Sequence, residues 1–93
     1  MFEKKQLIYS GTLGICQVDN IVNLSATKGI ATTPYYVLKQ VMGEKKTSYI
    51  PVEEHQVELR EIFTKEEANE LIKDENNKKN EVLYQALKYV LEQ

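Results

Sequence analysis

The chain has 93 residues, carries a formal charge of −2, and is 42% hydrophobic and 28% charged. That length holds one core, and the balance is that of a folded domain, not of a disordered segment. The charge is uneven: residues 1–51 sum to +3 and residues 52–93 to −5. An acidic C-terminal half argues against tight autonomous DNA binding, whose affinity comes from Lys and Arg neutralising phosphates. Apolar runs fall far short of the ~20 residues that cross a bilayer, and Met1 to Gln6 leads straight into a strand pattern without a signal-peptide core. No membrane association and a cytoplasmic location are therefore expected. The single cysteine, Cys16, excludes an intrachain disulfide and suits a reducing compartment.

In chain order, the segment from Gln6 to Val52 is rich in Val, Ile, Tyr and Thr and is broken by turn-formers at Ser10-Gly11, Gly29, Pro34 and Met42-Gly43-Glu44. This predicts strands over 5–9, 14–23, 34–42 and 47–52, with a brief fifth over 58–62. In the third, Tyr36 and Leu38 alternate with Tyr35, Val37 and Lys39, so both faces are largely apolar. In the fourth, a core-facing Ile50 turns Tyr49 outward, and Pro51, which cannot donate to a ladder, belongs at an edge or a strand exit. Short strands with frequent turns predict a small Tudor/SH3-like β-barrel of four to five strands over residues 1–62.

The period then changes. Thr64-Lys-Glu-Glu67 is a capping box, and Phe63 before it can staple onto Ala68. Ala68, Leu71 and Ile72 make one stripe on a helix over 64–73. The polar run 73–80 reads as a connection. Leu83, Ala86, Leu87, Val90 and Leu91 then give a second helix whose stripe packs on the first or on the barrel. The overall expectation is a β+α chain: a barrel over 1–62 and a short helical segment of two helices over 63–93.

The order Tyr9-Ser-Gly11-Thr-Leu-Gly14-Ile15, Tyr35-Tyr-Val-Leu-Lys39, Ile50-Pro-Val-Glu53, Leu59-Arg60 and Phe63-Thr64 resembles the CarD/CdnL/TRCF family of bacterial transcription factors, across roughly residues 5–72. The resemblance implies a Tudor-like RNA-polymerase-interacting domain that adds its sheet edge to a strand of the β-subunit lobe, a case of β-augmentation. In the family, a helical C-terminal domain then approaches promoter DNA with a tryptophan wedge and basic residues. This chain departs in having no Trp and only two expected helices, the mark of a minimal member or of a truncated chain. Where some members carry basic residues on the polymerase-facing strands, it has Leu24 and Tyr49. Promoter DNA is thus expected to be contacted weakly, in complex with polymerase, with little effect on bubble stability from this chain alone. The rival expectation is an SH3/Tudor-like adaptor or oligomerisation module that pairs with itself or with an unrelated protein.

The candidate protein-binding residues are Val22, Asn23, Leu24 and Ser25 with Tyr49, Ile50 and Pro51, at strand ends next to an interrupted ladder. Lys78 and Lys79 are candidates for DNA phosphate; placed before the second helix they oppose its dipole, so local stability does not account for them. Gly11 and Gly14 read as turn glycines, because no Gly-Lys-Ser/Thr follows them. His55 reads as a solvated turn residue and Cys16 as a small buried hydrophobe. No Ser/His/Asp or Cys/His set with supporting context appears, so no enzymatic activity, cofactor or metal is expected. The sequon Asn23-Leu24-Ser25 is discounted because such triplets arise by chance and export is not expected.

Overall fold

The computed structural model describes residues 1–24, 32–53 and 55–93. Five strands, β1 (Leu7–Ser10), β2 (Gly14–Leu24), β3 (Thr33–Gln40), β4 (Thr47–Pro51) and β5 (Leu59–Glu61), precede three helices, α1 (Lys65–Leu71), α2 (Glu75–Lys78) and α3 (Glu81–Leu91). The strands form one antiparallel sheet in the order β4-β3-β2-β1-β5. Its terminal strands β4 and β5 are not paired to each other, so the sheet is open. The chain is therefore a β+α arrangement, and the expected strands lie within two residues of those observed. Among the described residues no helix is long and apolar enough to cross a membrane.

The β1–β2 turn gives one of its two glycines a conformational reason. Gly14 has φ +78°, in the left-handed region, whereas Gly11 lies against Glu58: a Cβ there would lie 3.4 Å from the Glu58 Cβ, a contact it could accommodate, and its N–H donates to the Glu58 carbonyl at 2.9 Å. Buried Ser10 completes the turn, its Oγ accepting from the Thr12 and Leu13 amides. Gln40 ties this turn to the next, with Nε2 donating to the Leu13 carbonyl and Oε1 accepting from the Lys46 amide.

Alternation of side chains gives the sheet two apolar faces with separate cores. On the first, Ile8, Cys16, Val18, Tyr36, Leu38 and Ile50 form a cluster completed by Phe2, Val52, Val57 and Leu59. The N-terminal residues strap across it: the Phe2 ring lies 5.7 Å from that of Tyr36, and the Phe2 amide donates to the Tyr36 hydroxyl at 3.0 Å. On the second face, Tyr9 and Ile15 meet Phe63, Ala68, Ala86, Leu87 and Val90. The stripe of α3 thus packs on α1 and on the sheet together.

The capping box forms as expected, with Thr64 Oγ1 accepting from the Glu67 amide and Glu67 accepting from the Thr64 amide. The Thr64 amide, then Arg60 at 3.2 Å, hold the Glu67 carboxyl below the usual range. Arg60 also lies over the Phe63 ring, 4.2 Å from its centre. Phe63 and Ala68 are buried in one cluster, as the staple requires.

Two expectations are corrected. The run 73–80 is not a bare connection, because Asp74 accepts from the Asn76 amide and starts the one-turn helix α2. Among the described residues there are therefore three helices, not two. Lys78 and Lys79 also lie at the C-terminal end of α2, where positive charge complements the dipole, and Lys78 pairs with Glu75 at 3.4 Å. Their placement has a local reason.

Candidate docking edge

Backbone hydrogen bonds reveal which edges are open. The Val52 amide donates to the Pro34 carbonyl and the Gln40 amide to the Lys46 carbonyl, so even-numbered residues of β3 turn their backbone toward β4. In an antiparallel ladder the direction alternates residue by residue. Within β4, Ser48 and Ile50 therefore bond to β3, in register with Leu38 and Tyr36, while Thr47, Tyr49 and Pro51 direct their backbone away from the sheet. Pro51 lacks its N–H on the side where no strand needs it, which is why an edge strand accepts it. Among the described residues, no backbone hydrogen bond outside the β3–β4 ladder involves Thr47 or Tyr49.

β2 has a second open stretch. Among the described residues, beyond Val18 it pairs only with β3, after a bulge between Val18 and Asn20. Here Ile21 and Asn23 face outward, since their partners Tyr36 and Pro34 face β4. This edge is blunted by its own sequence: the Ile21 amide donates to Asn20 Oδ1 at 2.9 Å, and the bulge at exposed Asp19 bends the strand. The β4 edge has neither device.

The side chains sort the predicted residues by face. Asn20, Val37 and Tyr49 form one cross-strand row on the helix-bearing face; Val22, Tyr35 and Pro51 form the next, and Leu24 follows opposite Thr33. Val22, Leu24, Tyr49 and Pro51, from two separate sequence segments, thus share one patch, joined through β3 by half-buried Tyr35 and by Val37, which is itself buried. Leu24 is 42% and Tyr49 56% exposed. Asn23 and Ile50 lie on the opposite face, and Ile50, 6% exposed, belongs to the core there. Ser25 lies outside the described residues. Tyr35 and Val37 are the members not singled out from sequence; their alternation with Tyr36 and Leu38 was the available signal.

The other candidates fall elsewhere. Lys78 is the last residue of α2 and Lys79 its C-cap, apart from the patch in the chain and in a segment that also carries Asp74 and Glu75. His55 is half-buried, not freely solvated, and its Nδ1 lies 2.8 Å from the Val57 carbonyl. An open groove beside α3, lined by Leu13, Gly14, Gln40, Met42 and Val82, has Glu81 as its one ionisable side chain. Among the described residues no three His, Cys, Asp or Glu side chains gather as a metal site would require.

Cys16 is fully buried, and burial pushes its thiol up to about 11. A thiol reagent at pH 8 is expected to leave the native protein unmodified and to label it rapidly in denaturant. Labelling of the native protein at the denatured rate would show that the face carrying Ile8 and Tyr36 opens.

Compared with protein-family models, curated proteins and solved structures, the chain shows no match in any of the three.

Proposed function

We propose that this chain is a cytoplasmic CarD-like transcription factor that is not an enzyme, binds the β-subunit lobe of bacterial RNA polymerase through the outer edge of β4, and modulates initiation. The observation that carries the reading is the backbone of Thr47 and Tyr49, which turns away from β3 and has no other backbone partner among the described residues, beside the patch of Tyr35 and Pro51. A partner strand laid on β4 gains ladder hydrogen bonds from that backbone and places alternate side chains next to Tyr49. The order of motifs from Tyr9 to Thr64 supplies the polymerase as partner. A β1–β4 meander whose fifth strand returns beside β1 supports a Tudor-like barrel for residues 1–62.

With Leu24 and Tyr49 at the contact, recognition is apolar and backbone-based, so its affinity should depend little on salt. Promoter DNA is a secondary partner, reached through Lys78 and Lys79 once polymerase has fixed the orientation. The acidic C-terminal half leaves too little positive charge for DNA binding alone.

Calorimetric titration against an isolated β-lobe fragment tests the reading. Saturable 1:1 binding is expected, weakened at least about tenfold by Tyr49→Asp, which sets a charge where the partner strand would desolvate it. Absence of binding at high micromolar concentration would refute the polymerase partner. Undiminished binding by Tyr49→Asp would refute the edge.

A further inference from the structure

We propose that the β4 edge also pairs with a second copy of this chain, antiparallel, with Tyr49 opposite Tyr49 on a two-fold axis. The inference uses the same edge as the reading above, but not its polymerase partner.

The pairing follows from the direction of the backbone. Thr47, Tyr49 and Pro51 are the β4 residues that face outward. With Tyr49 on the axis, the two Tyr49 residues exchange both of their backbone bonds, and each Thr47 N–H meets the Pro51 carbonyl of the other copy. About four inter-chain backbone bonds result. The missing N–H of Pro51 falls opposite the Thr47 carbonyl, which stays at the solvent-facing rim.

Charge selects the antiparallel direction. β4 is preceded by Lys45 and Lys46 and followed, after Val52, by Glu53. Antiparallel pairing about Tyr49 sets the lysine end of each copy against the Glu53 end of the other, whereas parallel pairing would set lysine against lysine and Glu53 against Glu53. With Tyr49 on the axis, Lys45, four residues before it, falls directly opposite Glu53, four residues after it, of the other copy. The two patches carrying Tyr35 and Tyr49 then adjoin across the axis, with the Tyr49 side chains as direct cross-strand neighbours. The open stretch of β2 cannot substitute, because Asn20 occupies the Ile21 donor.

Sedimentation equilibrium at low salt tests this over about two decades of concentration reaching about 1 mM. The mass is expected to rise from 10.8 kDa toward twice that value. Tyr49→Pro removes one outward N–H while Ser48 and Ile50 keep the ladder to β3, and it should weaken the dimer at least about tenfold. A second pair of variants does not depend on that substitution folding: Lys45→Glu and Glu53→Lys should each weaken self-association, and an equimolar mixture of the two should restore it as a heterodimer. A wild-type mass fixed at 10.8 kDa throughout, or a dimer indifferent to both Tyr49→Pro and the charge exchange, overturns the inference. The β-lobe titration, run at concentrations where the chain is monomeric, reports separately. Lobe binding without a dimer refutes this inference alone, and a dimer without lobe binding refutes the polymerase partner alone.

Discussion

Leu87→Ala is expected to destabilise the protein by about 2–5 kcal/mol, read as a lower midpoint in urea denaturation, because Leu87 is fully buried where α3 meets both α1 and the sheet. Two terms add: the transfer free energy of the deleted carbons, and the cavity left among Tyr9, Ile15, Phe63 and Ala68. The site has little room to collapse, since the neighbouring Ala68 and Ala86 are already small and fully buried. Against a total stability of about 5–15 kcal/mol for a domain, such a loss leaves a substantial unfolded fraction at the low end. Leu83→Ala provides the comparison, because Leu83 is half-buried on the same stripe and should cost clearly less. Equal, small losses at both positions would mean that α3 is not docked on the sheet.

These positions also show what could be read from the sequence. The α3 stripe, the capping box at Thr64 and the opposition of Tyr49 and Ile50 are local patterns, fixed by the periods of helix and strand, and each appears where its spacing places it. The one-turn helix α2 has no apolar period, and its signal is the single cap Asp74 before Glu75, so composition alone gives a loop. The patch was legible in its parts but not in its assembly. Val22 and Pro51 are nearly thirty residues apart, and they fall in one row because both register with Tyr35. The bulge near Asp19 decides that Val22 and Leu24, and not Asn23, share the face of Tyr49. No pattern within β2 announces that shift. Which edge is open depends in the same way on hydrogen-bond direction across β3, a long-range property that the proline in β4 only hints at.

The second large effect concerns the division of the chain. A fragment ending at Ile62 is expected not to fold, although it contains every strand. In the whole chain Tyr9 and Ile15 are covered by Phe63, Ala68, Ala86, Leu87 and Val90, so the cut exposes one of the sheet's two apolar faces. Burying a side chain such as Phe63, Leu87 or Val90 contributes roughly 1.5–3 kcal/mol each, and losing all three removes an amount comparable with the stability of a small domain. A chain of about 60 residues also buries a smaller share of its surface to begin with. The fragment should show no cooperative thermal transition and should bind a hydrophobic dye, whereas the full chain melts sigmoidally. A sigmoidal melt from the fragment would instead make the sheet self-sufficient and the helices an appendage. The distinction bears on docking. β4 sits at the far end of the strand order from β1 and β5, so the helices have no need to touch a partner strand in order to matter to it. By covering Tyr9 and Ile15 they hold β1 and β2 in place, β2 carries β3, and β3 fixes the direction of the β4 backbone that turns Tyr49 outward. If the fragment is unfolded, substitutions in α3 should weaken partner binding only as far as they unfold the protein, and raising stability at a distant site should restore it.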